Sequence, residues 1–209
     1  QTPGGTGAVR MACDVLKRIG VTKVLLGQPS WPNHGPIIKA AGMEPVAYAH
    51  GDIDTQTLTF DALIAAMDAA SAGDAVLLHG CCHNPTGMDY SAEQWAVITA
   101  KVTEKGLFPL IDLAYQGLGA GFDEDAAGMR GLLAAVPEAL IAYSCDKNFG
   151  VYRERVGALY GLAGNDGEAA TLFSHFCAIA RAAWSMPPDH GAAAVRIILE
   201  DAGLTQMWL

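Results

Sequence analysis

A series of short apolar runs, separated by helix-patterned segments, constrains the fold more than any other feature of this sequence. They are Lys23–Gly27 (KVLLG), Pro45–Tyr48, Ala75–Leu78, Leu107–Leu113 (LFPLIDL), Ala139–Tyr143 and Val156–Leu162 (VGALYGL). Runs this short and this continuously apolar read as strands buried on both faces, as in parallel sheets covered by helices. Between them the apolar spacing changes to that of a helix. Val9, Ala12, Cys13, Leu16 and Ile19 form one stripe, and Leu63, Ile64, Met67 and Ala70 form another within Asp61–Ala70. A helix is expected around Gly35–Ala41. Ser91 is placed to cap the next one, with Glu93 and Gln94 in its first turn and an end near Lys105. Further helices are expected over Met129–Val136, Glu168–Ala183 (stopped by Pro187 and Pro188) and Ala192–Ala202. The alternation predicts an α/β fold with a mostly parallel central sheet, in which Val156–Leu162 is an antiparallel member. Gly121–Asp125 reads as a looser acidic segment.

At 209 residues, 51% of them hydrophobic, the chain is long enough for one sizeable core and needs no second domain. A formal charge of −9 argues against nucleic acid as a partner, because neutralising phosphates takes a surplus of Lys and Arg. Cys13, Cys81, Cys82, Cys145 and Cys177 have no regular spacing and leave one unpaired, which suggests neither a disulfide framework nor a zinc cage but thiols in a reducing cytoplasm. No apolar segment is long enough to span a bilayer. The chain opens on Gln1 rather than methionine, which suggests truncation.

Candidate functional residues lie where the apolar runs end, and in open α/β sheets ligands bind at the carboxyl ends of strands. Lys147 follows the Ala139–Tyr143 run in S-C-D-K-N-F-G-V-Y-R-E-R-V-G (Ser144–Gly157), with Arg155 eight residues on. A single lysine is most often a solvated charge, but here a rigid sheet could aim its amine. Asp112 sits near the end of LFPLIDL, where a carboxylate is costly unless it meets a cation or a hydrogen-bond donor. Thr2–Gly7 is a glycine-rich turn before a helix, able to present N–H groups to a phosphate or simply to cap the helix. Trp31 could stack on a flat ligand or plug the core. His79 and His83 flank two cysteines, but four-apart histidines share a face only on a helix, and Pro85 makes one unfavourable there. Adjacent Cys81 and Cys82 would point apart in an extended chain, so no metal site is expected.

Taken with QTPGGTGA at Gln1, PSWPNH at Pro29, HGCCHNPTG at His79 and DLAYQG at Asp112, the lysine segment resembles class I PLP-dependent aminotransferases of the aspartate and aromatic amino acid branch. The stretches occur in that family's order. The resemblance implies the large, cofactor-binding domain of the three-layer PLP-transferase fold over residues 1–209, truncated at both ends, with the small domain absent. It implies transfer of an amino group between an amino acid and a 2-oxo acid, through a Schiff base of Lys147 with pyridoxal 5′-phosphate. Trp31 would stack on the pyridine ring and Asp112 pair with its nitrogen, with His34 behind Asp112. Asn84 and Tyr115 would hold the phenolic oxygen. Gly5, Thr6, Ser144 and Arg155 would hold the phosphate, with Arg155 preferred to Arg153 for its E-R-V-G-A context. Trp31 and Asn84 would also border the substrate, and Arg181 would serve the substrate carboxylate in a neighbouring subunit, which implies a homodimer.

The chain departs from the family at Asp146, where a serine is usual and where a carboxylate would repel a phosphate. It departs again at Trp184 and Met186. The family's arginine for the substrate α-carboxylate would lie in a C-terminal segment, and a tyrosine lent by the partner would lie upstream of Gln1. Two other readings follow: a cofactor-binding fragment with little turnover, and a nucleotide-binding α/β protein. Against the second, no G-x-G-x-x-G follows a strand.

Overall fold

The computed structural model describes residues 1–209. In chain order its elements are β1 (Thr2–Pro3), α1 (Gly4–Arg18), β2 (Lys23–Gln28), α2 (His34–Ala40), β3 (Glu44–Ala49), β4 (Gly51–Asp52), β5 (Thr57–Leu58) and α3 (Phe60–Ala69). There follow β6 (Ala75–His79), α4 (Ala92–Lys105), β7 (Phe108–Leu113), α5 (Glu124–Ala135), β8 (Ala139–Ser144), β9 (Val156–Leu162), α6 (Asp166–Ala183), α7 (His190–Glu200) and α8 (Ala202–Trp208). The main sheet has seven strands in the order β1-β9-β8-β7-β6-β2-β3. β3, β2, β6, β7 and β8 are mutually parallel, and β9 runs antiparallel to both β8 and β1.

The apolar runs are explained by a sheet covered on both faces. Val24, Leu26, Ala75, Leu77, Leu110, Leu140 and Ala142 point to one side, into a cluster of 21 buried residues built with α1, α2 and α6. Their neighbours Leu25, Val76, Leu78, Ile111, Leu113 and Ile141 point to the other, into a cluster of 19 built with α3, α4 and α5. The clusters are of nearly equal size, so neither face of the central strands is left for solvent and period-2 alternation disappears from their sequence.

Several boundaries differ from expectation for local reasons. α1 begins at Gly4, inside the stretch expected to be a turn, because Thr2 and Pro3 pair with Gly157 and Val156 and start the helix immediately afterwards. The threonine-rich stretch before Phe60 contains the small β4–β5 hairpin. α4 carries the expected cap: the Ser91 hydroxyl accepts from Gln94 N–H while the Gln94 side chain accepts from Ser91 N–H. α6 starts at Asp166, two residues before the expected Glu168, and ends at Ala183 as expected, where the chain turns through Ser185 at φ 62°. The expected single C-terminal helix is two, broken at Asp201, whose side chain caps the second. α5 starts at Glu124 rather than Met129.

The Gly121–Asp125 segment is not loose. Asp125 is 8% exposed and its carboxylate accepts from the N–H groups of Gly117, Gly119 and Ala120, folding the loop after β7 onto the start of α5. Burial pushes its carboxyl up, but those donors outweigh burial and the net shift is downward.

Gly157 joins the sheet to the first helix. A Cβ there would lie 2.4 Å from the Gly4 carbonyl carbon and 2.8 Å from Gly5 N, atoms that cannot move without shifting the N-terminus of α1. Gly157→Ala is therefore expected to destabilise the fold by about 2–3 kcal/mol, measured by urea unfolding. A change within a few tenths of a kcal/mol would show that this contact is looser than described.

Candidate active site

The parallel register brings three strand ends level. His79 at the end of β6 pairs with Asp112 near the end of β7, and Leu113 pairs with Tyr143, one residue before Ser144 closes β8. The loops leaving these ends meet the start of α1 and the loop after β2 around a cavity of about 210 Å³. Its polar lining separates into an acid end, a middle and an anion end.

At the acid end, Asp112 is 7% exposed and His34, the first residue of α2, is fully buried. His34 Nε2 donates to Asp112 Oδ2 at 2.8 Å, and its Nδ1 takes a hydrogen bond from Ser30 Oγ at 2.8 Å. Ser30 in turn faces His79 Nε2 at 3.3 Å, and His79 Nδ1 accepts from Asn84 N–H at 3.4 Å. One proton arrangement satisfies the whole chain: His79 donates to Ser30, Ser30 to His34, and His34 to the carboxylate. Burial raises the Asp112 carboxyl, but the His34 hydrogen bond and nearby positive charge, including that of Lys147, overcome it and hold Asp112 below the usual carboxylate range.

In the middle of the cavity, Asn84 Nδ2 donates to Tyr115 Oη at 3.3 Å, so both side chains are brought to one point. Lys147 lies with Nζ 4.9 Å from the centroid of the Tyr115 ring. Trp31 and Ala114 both line the cavity. The turn that carries Lys147 is pinned on several sides. Asn148 donates to the Gln116 carbonyl and to Tyr143 Oη, both at 3.1 Å, while Phe149 stacks on Trp208 at 4.2 Å and Trp208 Nε1 donates to the Asn148 carbonyl at 2.7 Å. The backbone from which the amine projects is thereby held in one place.

At the anion end, Gly5 and Thr6 of α1 face Ser144 and Arg155. A Cβ on Gly5 would come within 2.8 Å of the Ser144 Cβ, so glycine is what lets the helix N-terminus approach the end of β8. Arg155 has a left-handed backbone (φ 53°), and its carbonyl accepts from Gly4 N–H at 2.8 Å. Its guanidinium does not simply face the cavity. Nη1 donates to Asp146 Oδ2 at 2.5 Å and to the Tyr152 carbonyl at 2.8 Å. Asp146 is 2% exposed and paired with this guanidinium rather than standing free at the cavity wall. Arg153 is exposed and does not line the cavity.

Arg181 is exposed on α6, outside this cavity, and donates to Ser185 Oγ. The expected separation of the histidines and of the cysteines is also corrected. His79 and His83 do meet, with ring centroids 4.2 Å apart, because the chain between them turns back instead of extending. Cys82 adopts φ 49°, so Cys81 Sγ, Cys82 Sγ and an Asp125 oxygen fall within 4.8 Å of one another. That carboxylate is already engaged by backbone donors. The cavity also takes in His79, Cys81, Ala114 and Tyr152, to which the sequence alone assigns no role in the site, and Ser30 joins it through its hydrogen bonds to His34 and His79. Ser30 has a signal in its place beside Trp31, but Ala114 has none.

Comparisons with known proteins give the chain's family and fold. The family model for aminotransferase class I and II matches residues 1–209. The chain therefore belongs to the class I and II aminotransferases. It is 53% identical to the tyrosine aminotransferase of Rhizobium meliloti (strain 1021) and 48% identical to the aspartate aminotransferase of Escherichia coli (strain K12), with 100% of this chain and 54% and 53% of those proteins covered. The chain thus spans about half the length of these curated relatives. Among solved structures it resembles an aromatic-amino-acid aminotransferase from Burkholderia pseudomallei covalently bound to pyridoxal phosphate, with a TM-score of 0.96 and 39% identity over 99% of this chain and 52% of that one. It likewise resembles an aromatic amino acid aminotransferase with 3-indolebutyric acid, with a TM-score of 0.95 and 42% identity over 99% of this chain and 53% of that one.

The buried histidines make a pH prediction. His50 stacks on His83 at 3.5 Å, and burial lowers the pKa of both, that of His83 to about 3, while burial holds His79 well below the usual value. The unfolded chain therefore binds protons that the folded chain refuses, so stability falls as pH drops from 6.5 towards about 3. Urea midpoints across that window should decrease with acid, and His83→Asn should flatten the slope by close to one proton. A wild-type midpoint independent of pH there would contradict the assignment.

Proposed function

We propose that this chain binds pyridoxal 5′-phosphate in the strand-end cavity and carries the cofactor chemistry of transamination between an amino acid, aspartate or aromatic, and a 2-oxo acid. The observation that supports this most is the donor set: a buried acid at one end of the cavity, an amine at its side and an anion-binding cluster opposite. The residues fit the group chemically, and the close approach of Gly5 to Ser144 forms a cradle that any larger residue would fill.

When bound, the cofactor supplies an aldehyde for an amine and a protonated ring that withdraws electrons from the reacting carbon. Lys147 would supply the amine for that aldehyde, and the same amine would hold and move the proton at the substrate's α-carbon. Asp112 would hold the ring nitrogen in its protonated form, and His34 and Ser30 keep the carboxylate ionised and aimed. Trp31 and Ala114 bound the slot for the flat ring. Asn84 and Tyr115 offer donors to the phenolic oxygen, and Gly5, Thr6, Ser144 and Arg155 offer them to the phosphate. Trp31 and Asn84 also border the space for substrate. Arg181, outside its own chain's cavity, is assigned to the distal carboxylate of a substrate in a second copy, which makes the working unit a homodimer.

The half-length coverage of the relatives favours a second reading, in which the chain holds the cofactor with little turnover. Borohydride reduction of the chain with pyridoxal phosphate, followed by peptide mapping, tests the common ground. A single modified lysine at Lys147, absent in Lys147→Ala, is expected, whereas modification elsewhere or nowhere would overturn the proposal. Conversion of an added 2-oxo acid into its amino acid when aspartate or an aromatic amino acid is supplied separates a working transaminase from a binding fragment.

A further inference from the structure

Resting on that cofactor reading, we infer that Asp146 competes with the cofactor's phosphate for Arg155, so that this chain distinguishes pyridoxal phosphate from unphosphorylated pyridoxal only weakly. The cavity's anion end is the one place where its chemistry is divided against itself. Arg155 is the sole cationic side chain there, Lys147 being assigned to the aldehyde, and a guanidinium grips phosphate best through two parallel N–H bonds. Here Nη1 is committed to Asp146 Oδ2 at 2.5 Å and to the Tyr152 carbonyl at 2.8 Å.

Asp146 is not a mobile surface acid that could swing aside. It is 2% exposed, and its other oxygen, Oδ1, accepts from Val156 N–H at 3.1 Å, at the start of β9. A Cβ added at Gly4 would touch both Arg155 Nη2 and Asp146 Oδ2, so the pair is packed against the first residue of α1. The carboxylate is therefore fixed at the cavity wall, cancels the guanidinium's charge, and lies close to where an anion held by Thr6, Ser144 and Arg155 must sit. Repulsion between like charges this near each other lowers affinity many-fold even after solvent screening.

The test uses the 209-residue chain and Asp146→Asn, which retains an oxygen for Val156 N–H while removing the charge; Asp146→Ser serves as a second variant should the amide repack. Inorganic phosphate is the first probe, titrated by calorimetry at constant ionic strength. Phosphate is expected to bind Asp146→Asn at least about tenfold more tightly than wild type, and Arg155→Met in the Asp146→Asn background should abolish the gain. Pyridoxal phosphate and pyridoxal are then titrated by absorbance. The ratio of their dissociation constants should widen by about tenfold in Asp146→Asn, with pyridoxal itself unchanged. Unchanged phosphate affinity in both variants, or an unchanged ratio beside a normal Lys147 adduct, overturns the inference and leaves the cofactor reading standing. A gain in phosphate affinity with no adduct at Lys147 upholds the anion competition and ends the cofactor reading.

Discussion

A carboxylate buried at the end of a strand is tolerated here because His34 donates to it at 2.8 Å, and the arrangement of the site depends on that contact. An unpaired charge in such a place would protonate or disrupt its surroundings. The bond to His34 fixes the entry of α2, since His34 is that helix's first residue, and through Ser30 it also fixes the chain leaving β2. His79 extends the same chain to the end of β6 and to the backbone of Asn84. One hydrogen-bonded line thus ties β2, β6 and β7 together at the edge where a ligand would enter, and keeps Asp112 charged while burial holds His79 well below its usual pKa.

The opposite end of the cavity is organised by backbone rather than by a buried charge. Gly157 allows the start of α1 to lie against β9, the Gly4 N–H bonds to the Arg155 carbonyl, and Arg155 accepts a left-handed conformation that non-glycine residues rarely adopt. Strain of this kind is retained where surrounding structure over-determines it, and here it sets the guanidinium beside the helix N-terminus. The pair with Asp146 then decides how much of that guanidinium is left for a ligand.

Much of the fold is legible in the sequence because each central apolar run is a strand with both faces covered, and both faces leave the same continuous signature. Lys147, Asp112, Asn84 and Tyr115 are legible as residues at strand ends within recognisable strings. What cannot be read locally is anything set by chain reversal. The meeting of His79 with His83, the shared direction of Cys81 and Cys82, and the ordering of the acidic segment by Asp125 all depend on backbone turns or on partners several residues away. Asp146 is visible as an unusual acid, but its pairing with Arg155 requires the two ends of the loop between β8 and β9 to meet as β9 folds back along β8.

An acid and an amine from different strand ends must address one flat ring for the proposed chemistry to proceed. The most direct measurement is a crystal structure of the chain soaked with pyridoxal phosphate. Ring density is expected between Trp31 and Ala114, with the ring nitrogen in hydrogen-bond reach of Asp112 and continuous density to Lys147 Nζ. Density in another part of the molecule, or a ring in this cavity whose nitrogen points away from Asp112, would contradict it.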